Sequence, residues 1–165
     1  MLALVLVRGT THSQLSGTKT IPGDYATLTT AVADLNSAGV GAGGVTFNVV
    51  AGYTETIAAR INLTASGTAS DPIIFQKSGV GSNPIITAYV GSATPTSTAP
   101  DGIWSIVGGD YITIDGIDLS DPNASNPATM EYGYGLFKAG ATNGCQNVTI
   151  KNCTITLNRI NNASG

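Results

Sequence analysis

The chain has 165 residues, of which 42% are hydrophobic and 10% charged. That length and apolar share suffice for one domain with a buried core, and they exclude a disordered chain, which needs low hydrophobicity and high charge. Seven basic residues against ten acidic ones give a net charge of −3 with no Lys/Arg cluster, which excludes nucleic acid and anionic membrane surfaces as partners, since both demand a basic face.

In chain order, Met1 to Val7 (MLALVLV) is an apolar run ended by Arg8. It is too short for a bilayer span, which takes ~20 residues, and short even for the core of a secretion signal. Residues 1–14 read as the remnant of such a signal, processed near Ser13–Gln14, or as a buried first strand. The signal reading implies a secreted or cell-surface protein with no membrane insertion in the mature chain.

Residues 15–44 read as an amino-terminal cap holding one amphipathic helix at about 24–36. Tyr25, Leu28, Val32 and Leu35 are spaced to line one face, and Thr29, Thr30 and Asp34 fall on the other. Asp24 is the expected N-cap, its carboxylate accepting from the first free amides, and Asn36 and Gly39 are the expected stop signals.

Beyond residue 40 the helical period does not return. Val45–Val50, Ile61–Leu63, Pro72–Gln76 and Pro84–Val90 are short, β-prone and bounded by Gly, Ser, Asn, Asp or Pro. Strands without intervening helices exclude a doubly wound sheet and leave an all-β fold.

The most informative feature is an internal repeat. Ile112–Ser120 (ITIDGIDLS) aligns without gaps on Val148–Thr156 (VTIKNCTIT) at an offset of 36. Gly102-Ile-Trp-Ser and Gly135-Leu-Phe-Lys form a second pair at an offset of 33, which makes Trp104 and Phe137 equivalent. Asp71-Pro-Ile-Ile-Phe and Asn83-Pro-Ile-Ile-Thr match at an offset of 12. Within the longer unit, alternation breaks once, at Asp115-Gly116 and again at Lys151-Asn152. Gly and Asn accept the positive φ of a corner there. A strand that bends and continues, rather than reversing, predicts a right-handed single-stranded parallel β-helix over residues 45–165, a solenoid whose aliphatic rows stack ~4.8 Å apart. The amphipathic helix is then the cap that a solenoid end requires.

The order DYATLTTAVADLN, GVTFNVVAG, DPIIFQKSG, NPIIT, GGDYITIDGIDLS, EYGYGLF and NVTIKNCTITLN resembles the pectin-lyase-like right-handed β-helix over about residues 15–160. It is similar, more closely, to the amino-terminal region of large secreted bacterial surface proteins that carry type IX sorting tails. The resemblance implies the fold and a fragment of a longer solenoid. It implies little about activity, because this scaffold carries lyases, hydrolases, adhesins and inactive proteins.

Candidate chemistry is sparse. Asp110, Asp115, Asp118 and Asp121 are close in sequence. Paired carboxylates cleave glycosidic bonds and acidic clusters hold Ca²⁺, so Asp115 and Asp118 are the catalytic or Ca²⁺ candidates. Lys151 at the next repeat opposes a cation, and turn work is the simpler reading. His12 is the only histidine and lies in the signal remnant, so no Ser–His or Cys–His nucleophile can be assembled in the mature chain. Cys145 and Cys153 stand ~26 Å apart if the chain between them is extended, too far for a disulfide. Cys153 aligns with Ile117 and reads as a small core residue. Trp104, Tyr132, Tyr134 and Phe137 are candidates for stacking on sugars or for core packing, with Tyr132 and Tyr134 assigned to the connector around 121–133. The expectation is a non-catalytic adhesion or polysaccharide-binding module. A lyase or glycosidase with catalytic rungs beyond residue 165, or a structural stalk, are the alternatives.

Overall fold

A computed structural model describes residues 13–91, 100–123 and 130–158. The segment holding Met1–Val7, Arg8 and His12 lies outside them. The described residues are mostly β, with one helix among them, α1 (Leu28–Ala38), between the first two strands. The strands are β1 (Leu15–Ile21), β2 (Val40–Val50), β3 (Thr54–Thr56), β4 (Ile61–Leu63), β5 (Ile73–Ser78), β6 (Ile85–Thr87), β7 (Gly102–Val107), β8 (Ile112–Asp115), β9 (Asp118–Ser120), β10 (Tyr132–Phe137), β11 (Val148–Lys151) and β12 (Ile155–Thr156).

They form three sheets, ordered β1-β2-β5-β8-β11, β3-β6-β9-β12 and β4-β7-β10. Every pairing between these strands is parallel. From β2 onward the chain visits the three sheets in rotation. Ile112, Thr113, Ile114 and Asp115 pair with Val148, Thr149, Ile150 and Lys151, and Leu119 with Ile155, the alignment read from the repeat.

Parallel register stacks apolar residues into inward rows. Val45, Ile73, Ile112 and Val148 form one, and Phe47, Phe75, Ile114 and Ile150 a second. The middle members are fully buried, and each removes from water area worth ~1.5–3 kcal/mol. An aromatic column crosses this core. Phe47 stacks on Phe75 with centroids 4.7 Å apart, Phe75 meets Trp104 edge-on at 5.3 Å, and Trp104 meets Tyr134 at 5.7 Å.

The corners behave as their residue types require. Gly116 has φ 68° and Asn152 has φ 55°, the left-handed region open to Gly and accessible to Asn. Asn152 is fixed by donating from Nδ2 to Asp115 Oδ1 at 2.7 Å.

The helix begins later than its spacing suggests. Thr27, not Asp24, is the N-cap, and its side chain accepts from Thr30 N in a capping box. Asp24 instead accepts from Thr20 N and Oγ1 at 2.8 and 2.9 Å, closing the turn after β1. Those bonds, the backbone one foremost, hold its carboxyl below the usual aspartate value. Tyr25 therefore precedes the helix, where its ring still packs 5.9 Å from Phe47 and its hydroxyl donates to Asp34. Asn36 does not stop the helix; Gly39 does, at φ 74°. Asn36 donates to Asn62 O at 2.7 Å and accepts from Thr64 N at 2.8 Å, so it covers the outer edge of β4.

Glu55 fastens the other end of the helix. It lies in β3 at the inward position that Ile86, Leu119 and Ile155 occupy in the strands beyond it. Its buried carboxylate accepts from Leu28 N at 2.7 Å, Thr29 N at 3.2 Å and Tyr53 Oη at 2.9 Å. First-turn amides lack partners within a helix and favour an anion. A carboxylate therefore stands where the row is otherwise aliphatic.

Two sequence equivalences are corrected. β10 pairs Tyr132 with Gly102 and Tyr134 with Trp104, so Phe137 lies beside Val107 rather than Trp104. Phe137 is exposed and Trp104 buried, because Gly-Ile-Trp-Ser and Gly-Leu-Phe-Lys sit at different depths along their strands. Asp71–Phe75 and Asn83–Thr87 enter different sheets with opposite phase: Ile73 and Phe75 are buried in β5, but Ile86 in β6. The segment 15–21, assigned to the cap, is itself a strand of the largest sheet.

Candidate functional site

The sequence candidates disperse. Asp110 accepts from Gln146 N at 2.6 Å, and Asp121, itself buried, accepts from Asn123 N at 3.0 Å. Asp118 Oδ1 accepts from Asn83 Nδ2 and Thr154 N, both at 2.8 Å. Asp115 takes Asn152 Nδ2 and lies 3.3 Å from Lys151 Nζ. The Asn152 bond, ahead of Lys151, holds its carboxyl below the usual value. Each acidic side chain thus anchors a corner or connector, and among the described residues no group of His, Cys, Asp and Glu converges as metal ligands do.

The aromatic candidates separate by depth. Trp104 is fully buried and cannot stack on a ligand, and its indole N–H finds no acceptor among the described residues. Tyr134 is half-buried against it, with its hydroxyl donating to Ile117 O at 2.9 Å; burial pushes that phenol well up. Tyr132 and Tyr134 belong to strand β10, not to a connector loop. Cys145 and Cys153 are both free thiols and half-buried. Cys153 packs against the core less deeply than Ile117 because β12 is the last strand of its sheet.

Tyr132 borders an open cleft. Its ring passes so close to Gly102 and Gly135 that a Cβ on either would overlap it, at 2.1 and 2.6 Å. Those glycines let the ring lie over the sheet and put Tyr132 Oη 2.8 Å from buried Ser105 Oγ. Arg60 Nη1 donates to Tyr132 Oη and to Pro100 O, both at 3.1 Å. Beside this pair opens a cavity of about 380 Å³ lined by Ala59, Arg60, Asn62, Tyr89, Pro100 and Asp101, within the ~300–1,000 Å³ of small-molecule sites. Tyr89 Oη lies 3.4 Å from Asp101 Oδ1. Partial burial, with the Asp101 charge second, raises the Tyr89 phenol, so at neutral pH it is an uncharged donor. Asp101 N in turn donates to the Glu131 carboxylate.

The cleft sets a guanidinium, an amide and a phenol beside a carboxylate and a backbone carbonyl. Donors and acceptors alternate over a few ångströms with an aromatic wall, which suits a polyhydroxylated ligand. Sequence reasoning missed Arg60, Asn62, Tyr89 and Asp101. Arg60 and Asn62 stand about 30–40 residues before Tyr89 and Asp101, and only strand stacking brings the two groups together. The available signal was positional, since Arg60 and Asp101 each stand directly before a strand and Arg60 is the one arginine among the described residues.

In comparison with known proteins, no family model, no curated protein and no solved structure matches this chain.

Proposed function

We propose that the chain is a right-handed parallel β-helix, capped by α1, that serves as a secreted or cell-surface module binding polysaccharide in the Arg60–Tyr89–Asp101 cleft. Rotation of the chain through three parallel sheets, with like residues stacked in rows, supports the coil. It agrees with the resemblance of the sequence to pectin-lyase-like proteins. The cleft carries the functional reading: its donors and acceptors are closely spaced, partly sheltered and built on strand ends rather than on a loop tip.

Binding without cleavage is the favoured mode, because Asp115 and Asp118, the paired carboxylates, are engaged in corner contacts. The test is retention on an oligosaccharide array followed by calorimetry with the retained glycan. Arg60→Ala and Tyr89→Ala should each weaken binding about tenfold or more, a loss of ~1.4 kcal/mol, with the glycan recovered intact. Equal retention of wild type and both variants would place the site elsewhere, and shortened glycan would identify an enzyme.

A further inference from the structure

The entry to the third sheet carries a row of charge. Strands β4, β7 and β10 lie side by side, ~4.8 Å apart, and each is directly preceded by a charged residue: Arg60, Asp101 and Glu131. One cation therefore stands against two carboxylates. Arg60 is turned to neutral acceptors, its Nη1 donating to Pro100 O and Tyr132 Oη. Glu131 is held against Asp101 by two bonds. Its N–H donates to Asp101 O at 3.0 Å, and its carboxylate accepts from Asp101 N. The other described cations are engaged or placed elsewhere. Lys77 donates to Gly81 O, Lys151 pairs with Asp115, Lys19 lies in β1, and Lys138 follows the far end of β10. The Tyr89 phenol reports the balance: burial raises it first, and of the two charges acting on it the Asp101 carboxylate outweighs Arg60.

We infer, resting on the polysaccharide reading of the cleft, that it selects uncharged glycans and turns polyuronates away. A hydroxyl both donates and accepts, so a neutral sugar can donate to Asp101 and accept from Arg60, Asn62 and Tyr89. A uronate carboxylate only accepts. In the same pose it gains at Arg60 but meets Asp101 and Glu131 with no proton to share. An unpaired like charge is how a site rejects a close competitor. The net charge of −3 on the chain acts in the same direction at longer range.

Calorimetry of the full 165-residue chain with matched oligosaccharides tests it. The probes are neutral chains of the gluco, manno and galacto series, each paired with the same chain oxidised to its polyuronate. The neutral member should bind about tenfold or more tightly than its partner. That gap should narrow as ionic strength rises from ~0.01 to ~1 M and the screening length falls from ~30 to ~3 Å. Asp101→Asn should close the gap by about tenfold, and Glu131→Gln should move it the same way. The salt series on the wild type holds even if either variant fails to fold. A uronate bound as tightly as its neutral partner, a gap insensitive to salt, or a gap unchanged in folded Asp101→Asn would each overturn the proposal and leave the polysaccharide reading standing. Binding of no probe would overturn both.

Discussion

Glu55 is the residue whose environment departs furthest from its type. A carboxylate in an aliphatic row is costly unless it is hydrogen-bonded, and here two helix amides and two hydroxyls supply the bonds. Glu55→Gln keeps the shape but turns an acceptor-only group into one with a donor face, so it should lower unfolding stability by about 1.5–3 kcal/mol in urea titration. Asn152 is the second case. Its φ of 55° costs a β-carbon residue without local hydrogen bonding ~1–2 kcal/mol. Asn152→Ala should therefore destabilise by about that amount, and Asn152→Gly by less, as measured by the same titration. In both variants the Asp115 carboxyl, followed by NMR, should rise toward its ordinary value, because the Asn152 amide is the main group holding it down.

Among the elements, the short strands depend on one another more than on their own propensity. β3, β4, β6 and β9 have three residues each, too few to persist alone. Their place is fixed by parallel neighbours and by the aromatic column beneath them. Phe75 touches Phe47 on one side and Trp104 on the other. Phe75→Ala should cost about 3–5 kcal/mol, and a double-mutant cycle with Phe47→Ala should return a coupling of ~0.5–1.5 kcal/mol beyond simple burial. Additive losses would mean that the rings fill space without interacting. The helix obeys the same logic. Of its buried face, Leu28, Val32 and Leu35 were legible from spacing and Ala31 was not, nor was its start, since Tyr25 precedes the helix. Asp24 and Thr27 are both competent caps, and the choice falls to Thr27 because Asp24 is drawn back to Thr20 and Glu55 reaches the amides of Leu28 and Thr29.

For the whole molecule, titration sets a stability plateau with two limits. Asp24, Asp71 and Asp115 have folded-state pKa values below their ordinary 3.8, each chiefly through hydrogen bonds to the charged form. Their contribution is complete above that value and is lost as pH falls through the folded values. Tyr53 is raised from 10.0 to about 12, first by burial and then by its bond to Glu55, and Tyr25 and Tyr134 move the same way. Their contribution is complete below pH 10 and is lost as pH rises through the folded values. Urea midpoints should therefore be nearly flat from about pH 5 to 9 and fall on both sides. A midpoint that climbed between pH 10 and 12 would contradict the assigned tyrosine environments.

The sequence by itself determined what a period can carry. Alternation interrupted at Gly116 and Asn152 gave the pairing and register of β8 with β11 and of β9 with β12, and three-and-four spacing gave most of the helical face, because both follow from local backbone geometry. It also misassigned Phe137 to the depth of Trp104, since two glycine-led motifs look alike without the strand beside them. Only the tertiary structure decided which residues meet between separate strands and their connections: Arg60 with Tyr132, Tyr89 with Asp101, and Glu55 with the helix amides. These contacts join segments 12 to 72 residues apart. Their geometry is set by stacking distance and ring packing, and no short-range pattern in the chain encodes either.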